Sequence, residues 1–309
     1  MQLARQLAMD SRLLDFDIVD VFTDRPYAGN PLAVVHGADD LSTEQCQQIA
    51  QELGFSETTF PATGVLEGRE YGTRIFTPER EIPFAGHPTL GTAWVLRSRG
   101  LLTEAECVQE CGAGRIGVRF EGDRVELSAA PRDLAGPLPQ DLVRDLLRVV
   151  GLRLSDVSGQ AWVAGCGLSF VHLPVTEEAV VRAVPSGPMP RPLEARLAAF
   201  APVEDLIDAL NVYVVSGDAP RLAVHSRVFV PGAGVPEDPA TGSAAAGLGM
   251  ALVASGLLPE GGRYDIVQGV EMGRPSALAG RVDATGGSPT RCNVAGRVRP
   301  VATGEIAVP

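Results

Sequence analysis

The sequence predicts an α+β protein made of two similar halves. Two observations carry this expectation. One short motif occurs twice, once as Arg74-Ile-Phe-Thr-Pro78 with Gly86-His87-Pro88-Thr-Leu-Gly91-Thr92-Ala93, and once as Arg227-Val-Phe-Val-Pro231 with Glu237-Asp238-Pro239-Ala-Thr-Gly242-Ser243-Ala244. Each copy then runs into an apolar, Ala/Leu-rich stretch of helical length, while the rest of each half reads mainly as short strands. An apolar helix among strands is a buried one. The 309 residues suit two domains of roughly 150 residues each.

The elements follow in order. Phe16 to Phe22 alternates apolar and acidic residues, as a strand does. Arg25-Pro-Tyr-Ala-Gly-Asn30-Pro is a turn before a Leu32 to Val35 strand. Ser42 to Leu53 has helical spacing with Ser42 as N-cap. Extended pieces follow at Thr58 to Pro61 and Tyr71 to Phe76. Pro88 to Arg99 reads as a helix with Pro in its first turn and Gly100 past its end. Arg115 to Phe120 and Arg124 to Ser128 form a hairpin about Glu121-Gly-Asp. Pro131 to Pro139 is the linker candidate, which puts the domains at 14–131 and 140–309. The last strands, from Arg291, are free to return to the first domain. In the second half, helices are expected at Asp141 to Val150, Leu193 to Phe200, Val203 to Leu210 and Pro239 to Ser255. Strands are expected within Ala161 to Pro174, at Val212 to Ser216, at Leu222 to Val230, and from there to the end. Residues before Leu14 read as a short extension.

Composition closes off several functions. The net charge is −12 with no Lys/Arg cluster, so nucleic acid and anionic membranes are poor partners. No apolar run is long enough to span a membrane. All 26 basic residues are arginine. Without lysine there is no Schiff base and no Walker A loop, which excludes pyridoxal phosphate enzymes and lysine aldolases. Five scattered cysteines argue for a reducing, cytoplasmic setting rather than a disulfide scaffold. Cys107 and Cys111 lack a second pair at zinc spacing, so no metal is expected. Gly112-Ala-Gly114-Arg-Ile-Gly117 fits G-x-G-x-x-G, but a strand follows where a dinucleotide site needs a helix.

The repeated motif carries the chemistry. At corresponding positions the halves hold His87 and Asp238, each followed by Pro and then by Gly and a hydroxyl residue. Free N–H groups at two helix starts attract an anion such as a carboxylate. Gly91 and Gly242 would allow close approach, and Thr92 and Ser243 could donate. Each residue alone has an ordinary explanation: Asp238 fits a helix N-cap, and His87 fits a buried structural histidine. Repetition with different titratable groups favours a proton-handling cleft. Glu57, in Gly54-Phe-Ser-Glu-Thr-Thr-Phe60, is either a solvated loop carboxylate or a desolvated one able to take and return a proton near neutral pH. His36 and His172 read as structural, and His225 as a candidate for the cleft.

These runs resemble the phenazine-biosynthesis PhzF-like isomerase family. The matching stretches are Asp20-Val-Phe-Thr, Ala28-Gly-Asn-Pro-Leu-Ala-Val34, Ser56-Glu-Thr-Thr-Phe60, Arg74-Ile-Phe-Thr-Pro, Ile82-Pro-Phe-Ala-Gly-His-Pro88, Glu237-Asp-Pro-Ala-Thr-Gly-Ser243 and Gly273-Arg-Pro-Ser276. The resemblance implies a diaminopimelate-epimerase-like fold, with two pseudo-symmetric α/β domains, each a curved sheet around a central helix. It implies a homodimer and no cofactor. It also implies that Glu57 shuttles the proton, that His87, Asp238 and Ser243 line the pocket, and that Gly86 offers a backbone donor. The expected activity is a cofactor-independent isomerisation of a small, carboxylate-bearing cyclic amino acid resembling dihydro-hydroxyanthranilate. The catalytic candidates are Glu57, His87 and Asp238; the substrate-binding candidates are Gly86, Gly242 and Ser243. An epimerase or racemase and a non-catalytic anion-binding protein are the alternatives. Relatives of this fold that racemise use two opposed cysteines, and here those positions hold His87 and Asp238.

Overall fold

A computed structural model describes residues 12–62, 64, 68–185, 187, 189–200, 206–230 and 235–309. The chain forms two compact units, one running to Leu127 and including Gly296–Pro309, the other Ser128–Ala295. The borders therefore differ from those expected from composition. The Pro/Gly-rich stretch at 131–139 is no free linker, because a short strand within it joins the second unit's sheet. The last residues of the chain group with the first unit. The expected N-terminal extension lies almost wholly outside the described residues.

In the first unit the strands are β1 (Leu13–Val21), β2 (Asn30–Val35), β3 (Thr58–Pro61), β4 (Glu70–Phe76), β5 (Glu81–Ile82), β6 (Glu106–Cys111), β7 (Gly114–Glu121) and β8 (Arg124–Ala129). Its helices are α1 (Thr43–Leu53) and α2 (Gly86–Ser98). Strand β1 is antiparallel to β2, β2 parallel to β3, β3 antiparallel to β4, and β4 parallel to β6, which leads antiparallel into β7 and β8. The end of the chain completes this sheet, with Leu13 opposite Ala307 and Val21 opposite Val298. The G-x-G-x-x-G run is the β6–β7 hairpin, Cys111 facing Gly114 across the turn.

The second unit repeats this order. Its strands are β9 (Asp133–Ala135), β10 (Trp162–Gly165), β11 (Ser169–Pro174), β12 (Leu206–Asp218), β13 (Arg221–Val230), β14 (Val235–Asp238), β15 (Gly261–Gln268), β16 (Ser276–Thr285) and the first part of β17 (Ser288–Ala307). Its helices are α3 (Gln140–Val149), α4 (Glu177–Arg182), α5 (Arg191–Leu197) and α6 (Gly242–Ala254). Here β10 is antiparallel to β11, β11 parallel to β12, β12 antiparallel to β13, and β13 parallel to β15, which leads antiparallel into β16 and β17. Strand β9 lies beside β10, as the chain's end lies beside β1.

Each sheet has a helix on either face. In the first unit α2 is buried along almost its whole length and packs on β1, β2, β3 and β7. Gly91 makes this possible: a Cβ there would stand 2.5 Å from a Leu32 methyl and 2.9 Å from one of Val21. On the opposite face α1 lays Cys46, Ile49 and Ala50 against Leu14, Val35, Phe60 and Phe76. A capping box starts α1, with Ser42 accepting from the Gln45 N–H and the Gln45 side chain accepting from the Ser42 N–H. In the second unit α6 packs on β10, β11, β15 and β16, and α3, α4 and α5 cover the other face through Leu146, Leu147, Val180 and Leu197.

One expected helix is a strand. Of Val203 to Leu210, residues 203–205 lie outside the described residues, and the remainder belongs to β12. There Leu210 stands opposite Val171 on one side and Phe229 on the other. Pairing on both edges outweighs a weak helical preference.

Candidate active site

The repeated Arg-x-Phe motif builds the same scaffold in each unit. Arg74 donates twice to Glu81, at 2.8 and 2.6 Å, and lies 4.9 Å over the Phe76 ring. Arg227 donates twice to Glu237, both at 2.8 Å, and lies 5.0 Å over Phe229. Each arginine fastens a strand to the short strand that returns toward the buried helix. The motif's arginines thus hold the approach to each helix, an arrangement suited to a planar two-pronged cation. Pro231 of the second copy lies outside the described residues.

The helices do not begin as the sequence suggests. Helix α2 starts at Gly86, before Pro88, so His87 sits in its first turn. Helix α6 starts at Gly242, not at Pro239, so Asp238 ends β14 and Ser243 is the second helical residue. His87 and Asp238 are therefore not at equivalent places. The cause is Gln268, whose amide donates to the Asp238 carbonyl at 2.8 Å and to Thr241 Oγ1 at 3.0 Å, while its carbonyl accepts from the Thr241 N–H at 3.3 Å. These bonds hold 239–241 out of the helix. The N-cap position of α6 is held by Thr241, not Asp238, whose carboxylate accepts from Thr241 Oγ1 at 2.5 Å. Thr92 is withdrawn from the surface, its hydroxyl 2.8 Å from that of Thr59.

In the first unit Glu57 and His87 come together. Glu57 immediately precedes β3, and its Oε2 stands 3.5 Å from His87 Nε2. The Glu57 side chain is 17% exposed. Its Oε2 is itself buried, with no hydrogen-bond partner among the described residues. Loss of water pushes the Glu57 carboxyl up to about 7, with the neighbouring Ser56 hydroxyl opposing it. The carboxyl is therefore divided between its acid and base forms at neutral pH.

Behind His87 stands Asn30, its Nδ2 3.3 Å from His87 Nδ1. Ser56 Oγ donates to Asn30 Oδ1 at 3.2 Å. A tight turn delivers Asn30 to this place. Gly29 has φ +71°, and a Cβ there would lie 2.3 Å from the Val21 carbonyl oxygen. Asn30 lay within a matching family run but read only as a turn residue, and Gln268 carried no signal at all.

Other histidines have their own partners. His36 Nε2 lies 2.8 Å from Asp17, and burial lowers its proton affinity. His225 Nε2 lies 3.0 Å from Glu271. His172 is buried in the core of the second unit. Among the described residues no group of three or more His, Cys, Asp or Glu could hold a metal, and no helix is long and apolar enough to cross a membrane.

The second unit thus repeats the sheet order of the first, and the first sets a desolvated carboxyl against an imidazole. The chain belongs to the phenazine biosynthesis-like protein family, whose model matches residues 19–304. It is 36% identical over 282 residues to trans-2,3-dihydro-3-hydroxyanthranilate isomerase of Pseudomonas chlororaphis, covering 90% of this chain and 94% of that one. Among solved structures it is similar to a phenazine biosynthesis protein of the PhzF family from Bacillus anthracis, at TM-score 0.79 and 25% identity, covering 96% of this chain and 100% of that one. A hydroxyproline epimerase from Agrobacterium vitis shares the fold at TM-score 0.61 and 13% identity, covering 96% of this chain and 93% of that one.

Proposed function

We propose that the chain is a cofactor-independent isomerase that moves a proton between two carbons of a small, carboxylate-bearing cyclic amino acid of the dihydro-hydroxyanthranilate type. The observation that carries this reading is the Glu57 carboxyl, held near 7 by desolvation and set 3.5 Å from His87. As carboxylate, Glu57 takes a proton from one carbon, and the C–H electron pair moves into the adjoining unsaturated system. As carboxylic acid, it returns that proton to a second carbon of the same molecule. A group whose affinity matches the working pH serves both steps. The activity named for the Pseudomonas chlororaphis relative supports the substrate class.

In this reading His87 hydrogen-bonds the substrate or steadies charge on Glu57, and the Gly86 N–H donates to a developing oxyanion. Asp238, oriented by Thr241, pairs with an amine or hydroxyl of the substrate. Gly242 and Ser243 supply N–H and hydroxyl donors to its carboxylate at the positive end of α6. A racemase of the two-thiol kind is disfavoured, because none of the five cysteines lies at the start of α2 or α6.

The test incubates the protein in heavy water with a panel of small cyclic and aromatic-precursor amino acids and follows the ring positions by NMR. Isomerisation with hydrogen moving between two carbons supports the reading. Inversion at one carbon, with deuterium entering there and no migration of the double bond, points to an epimerase instead. Glu57→Gln is expected to slow the reaction about 10²-fold or more.

A further inference from the structure

We propose that Asn30 is a positioning residue for this chemistry: its side-chain amide holds His87 as the neutral tautomer whose Nε2–H faces Glu57. Its significance for the reaction rests on the reading of Glu57 as acid and base; its geometry does not.

A carboxamide has one accepting and one donating end. Ser56 Oγ donates to Asn30 Oδ1, which turns the NH2 end toward His87 Nδ1 at 3.3 Å. A donor at that place needs the lone pair of Nδ1. The neutral ring then carries its proton on Nε2, the atom 3.5 Å from Glu57 Oε2. Asn30 is fully buried, and the Gly29 turn fixes where its backbone enters β2.

The second unit contains the same three residue types in an arrangement that defines the orientation independently. Ser226 Oγ donates to Asn211 Oδ1 at 2.6 Å, and Asn211 Nδ2 lies 3.0 Å from His172 Nδ1. His172 Nε2 stands 3.3 Å from the Ala164 carbonyl oxygen. A carbonyl only accepts, so His172 carries its proton on Nε2 and accepts at Nδ1. At His87 a carboxylate takes the place of that carbonyl.

The arrangement bears directly on proton transfer. His87, from α2, faces Glu57 at 3.5 Å, and the Ser56 hydroxyl lies beside it. Asn30 Nδ2 approaches Nδ1 of the His87 ring, and Glu57 Oε2 approaches its Nε2. A second ring proton would make an imidazolium, which favours the Glu57 carboxylate and weakens its hold on a proton. An amide donor aimed at Nδ1 opposes that proton and leaves Glu57 able to carry its own.

Long-range proton–nitrogen NMR correlation of the imidazole rings in the whole protein tests this. There are four histidines, and His87→Asn identifies the His87 signals by their loss. The expected pattern at neutral pH is a proton on Nε2 and a bare Nδ1 for both His87 and His172. A proton on His87 Nδ1 would overturn the proposal. Asn30→Asp places an acceptor where the donor was; His87 should then be doubly protonated at neutral pH, and Glu57 should titrate about one pH unit or more lower. Unchanged His87 protonation and Glu57 titration in a folded Asn30→Asp protein would also overturn it. If Asn30→Asp does not fold, the wild-type spectrum decides alone. Failure of the functional reading shows differently, as undiminished isomerisation by Glu57→Gln with the ring pattern intact.

Discussion

Arg227 and Glu237 form a two-pronged ion pair almost out of reach of water, their side chains 6% and 9% exposed. The matching pair in the other unit, Arg74 and Glu81, is 37% and 38% exposed. The motif is the same, and the energetics should not be. Arg227 also donates to the carbonyls of Val180, Val181 and Ala183. Arg227→Met leaves a buried carboxylate and those carbonyls without their donor, and should cost about 3–5 kcal/mol. Arg74→Met removes a half-exposed pair and should cost about 1 kcal/mol or less. Urea denaturation of the two variants measures the difference.

Glu57 should make the protein less stable as pH rises. Its carboxyl ordinarily loses its proton at 4.5 and in the fold holds it to about 7. The folded state therefore binds the proton more tightly, so its stabilising effect is full below 4.5 and is lost as pH rises through 7. At 1.36 kcal/mol per pH unit the cost is at most about 3 kcal/mol. Glu57→Gln mimics the protonated acid, so it should match the wild type in acid and exceed it in melting temperature above neutral pH, while losing activity. Thermal melts across pH check both halves of this.

His172 should act in the opposite range. Burial holds its imidazole at about 4 against an ordinary 6.5, so it stays neutral in the fold. The unfolded chain takes up the proton first, and stability present above 6.5 is lost as pH falls toward 4. The contribution reaches at most about 3 kcal/mol. Denaturation midpoints between these limits should fall in the wild type and fall less in His172→Gln.

Gln268 should matter more than its silence in the sequence suggests. Its buried amide joins the Asp238 carbonyl, the Thr241 hydroxyl and the Thr241 N–H. Gln268→Ala leaves these groups without it and should cost about 2–3 kcal/mol. It should also raise KM more than it lowers the rate, because Asp238 is proposed to hold substrate rather than to move the proton. Steady-state kinetics separate the two effects.

The legible parts of this molecule were those written in repeated or periodic form. The two Arg-x-Phe motifs predicted matching substructures, and the apolar runs after Gly91 and Gly242 predicted two buried helices. His87 stood out through the repeated motif and Glu57 as a carboxylate among apolar and hydroxyl neighbours, and the structure sets the two side by side. What the sequence hid was held by distant partners. The start of α6 depends on Gln268, a whole helix and strand away, and so Asp238 fell outside the helix expected to present it. Leu206 to Leu210 became a strand because Val171 and Phe229 flank it. Asn30 looked like turn filler because its task depends on Ser56 and His87, both far along the chain.

The central claim is that Glu57 is a carboxyl poised to carry a proton at neutral pH. Carbon-13 NMR of the labelled Glu57 side-chain carboxyl, assigned by its loss in Glu57→Gln and titrated in the absence of substrate, tests it most directly. The predicted midpoint is about 7. A midpoint at the ordinary value of 4.5 would contradict the account.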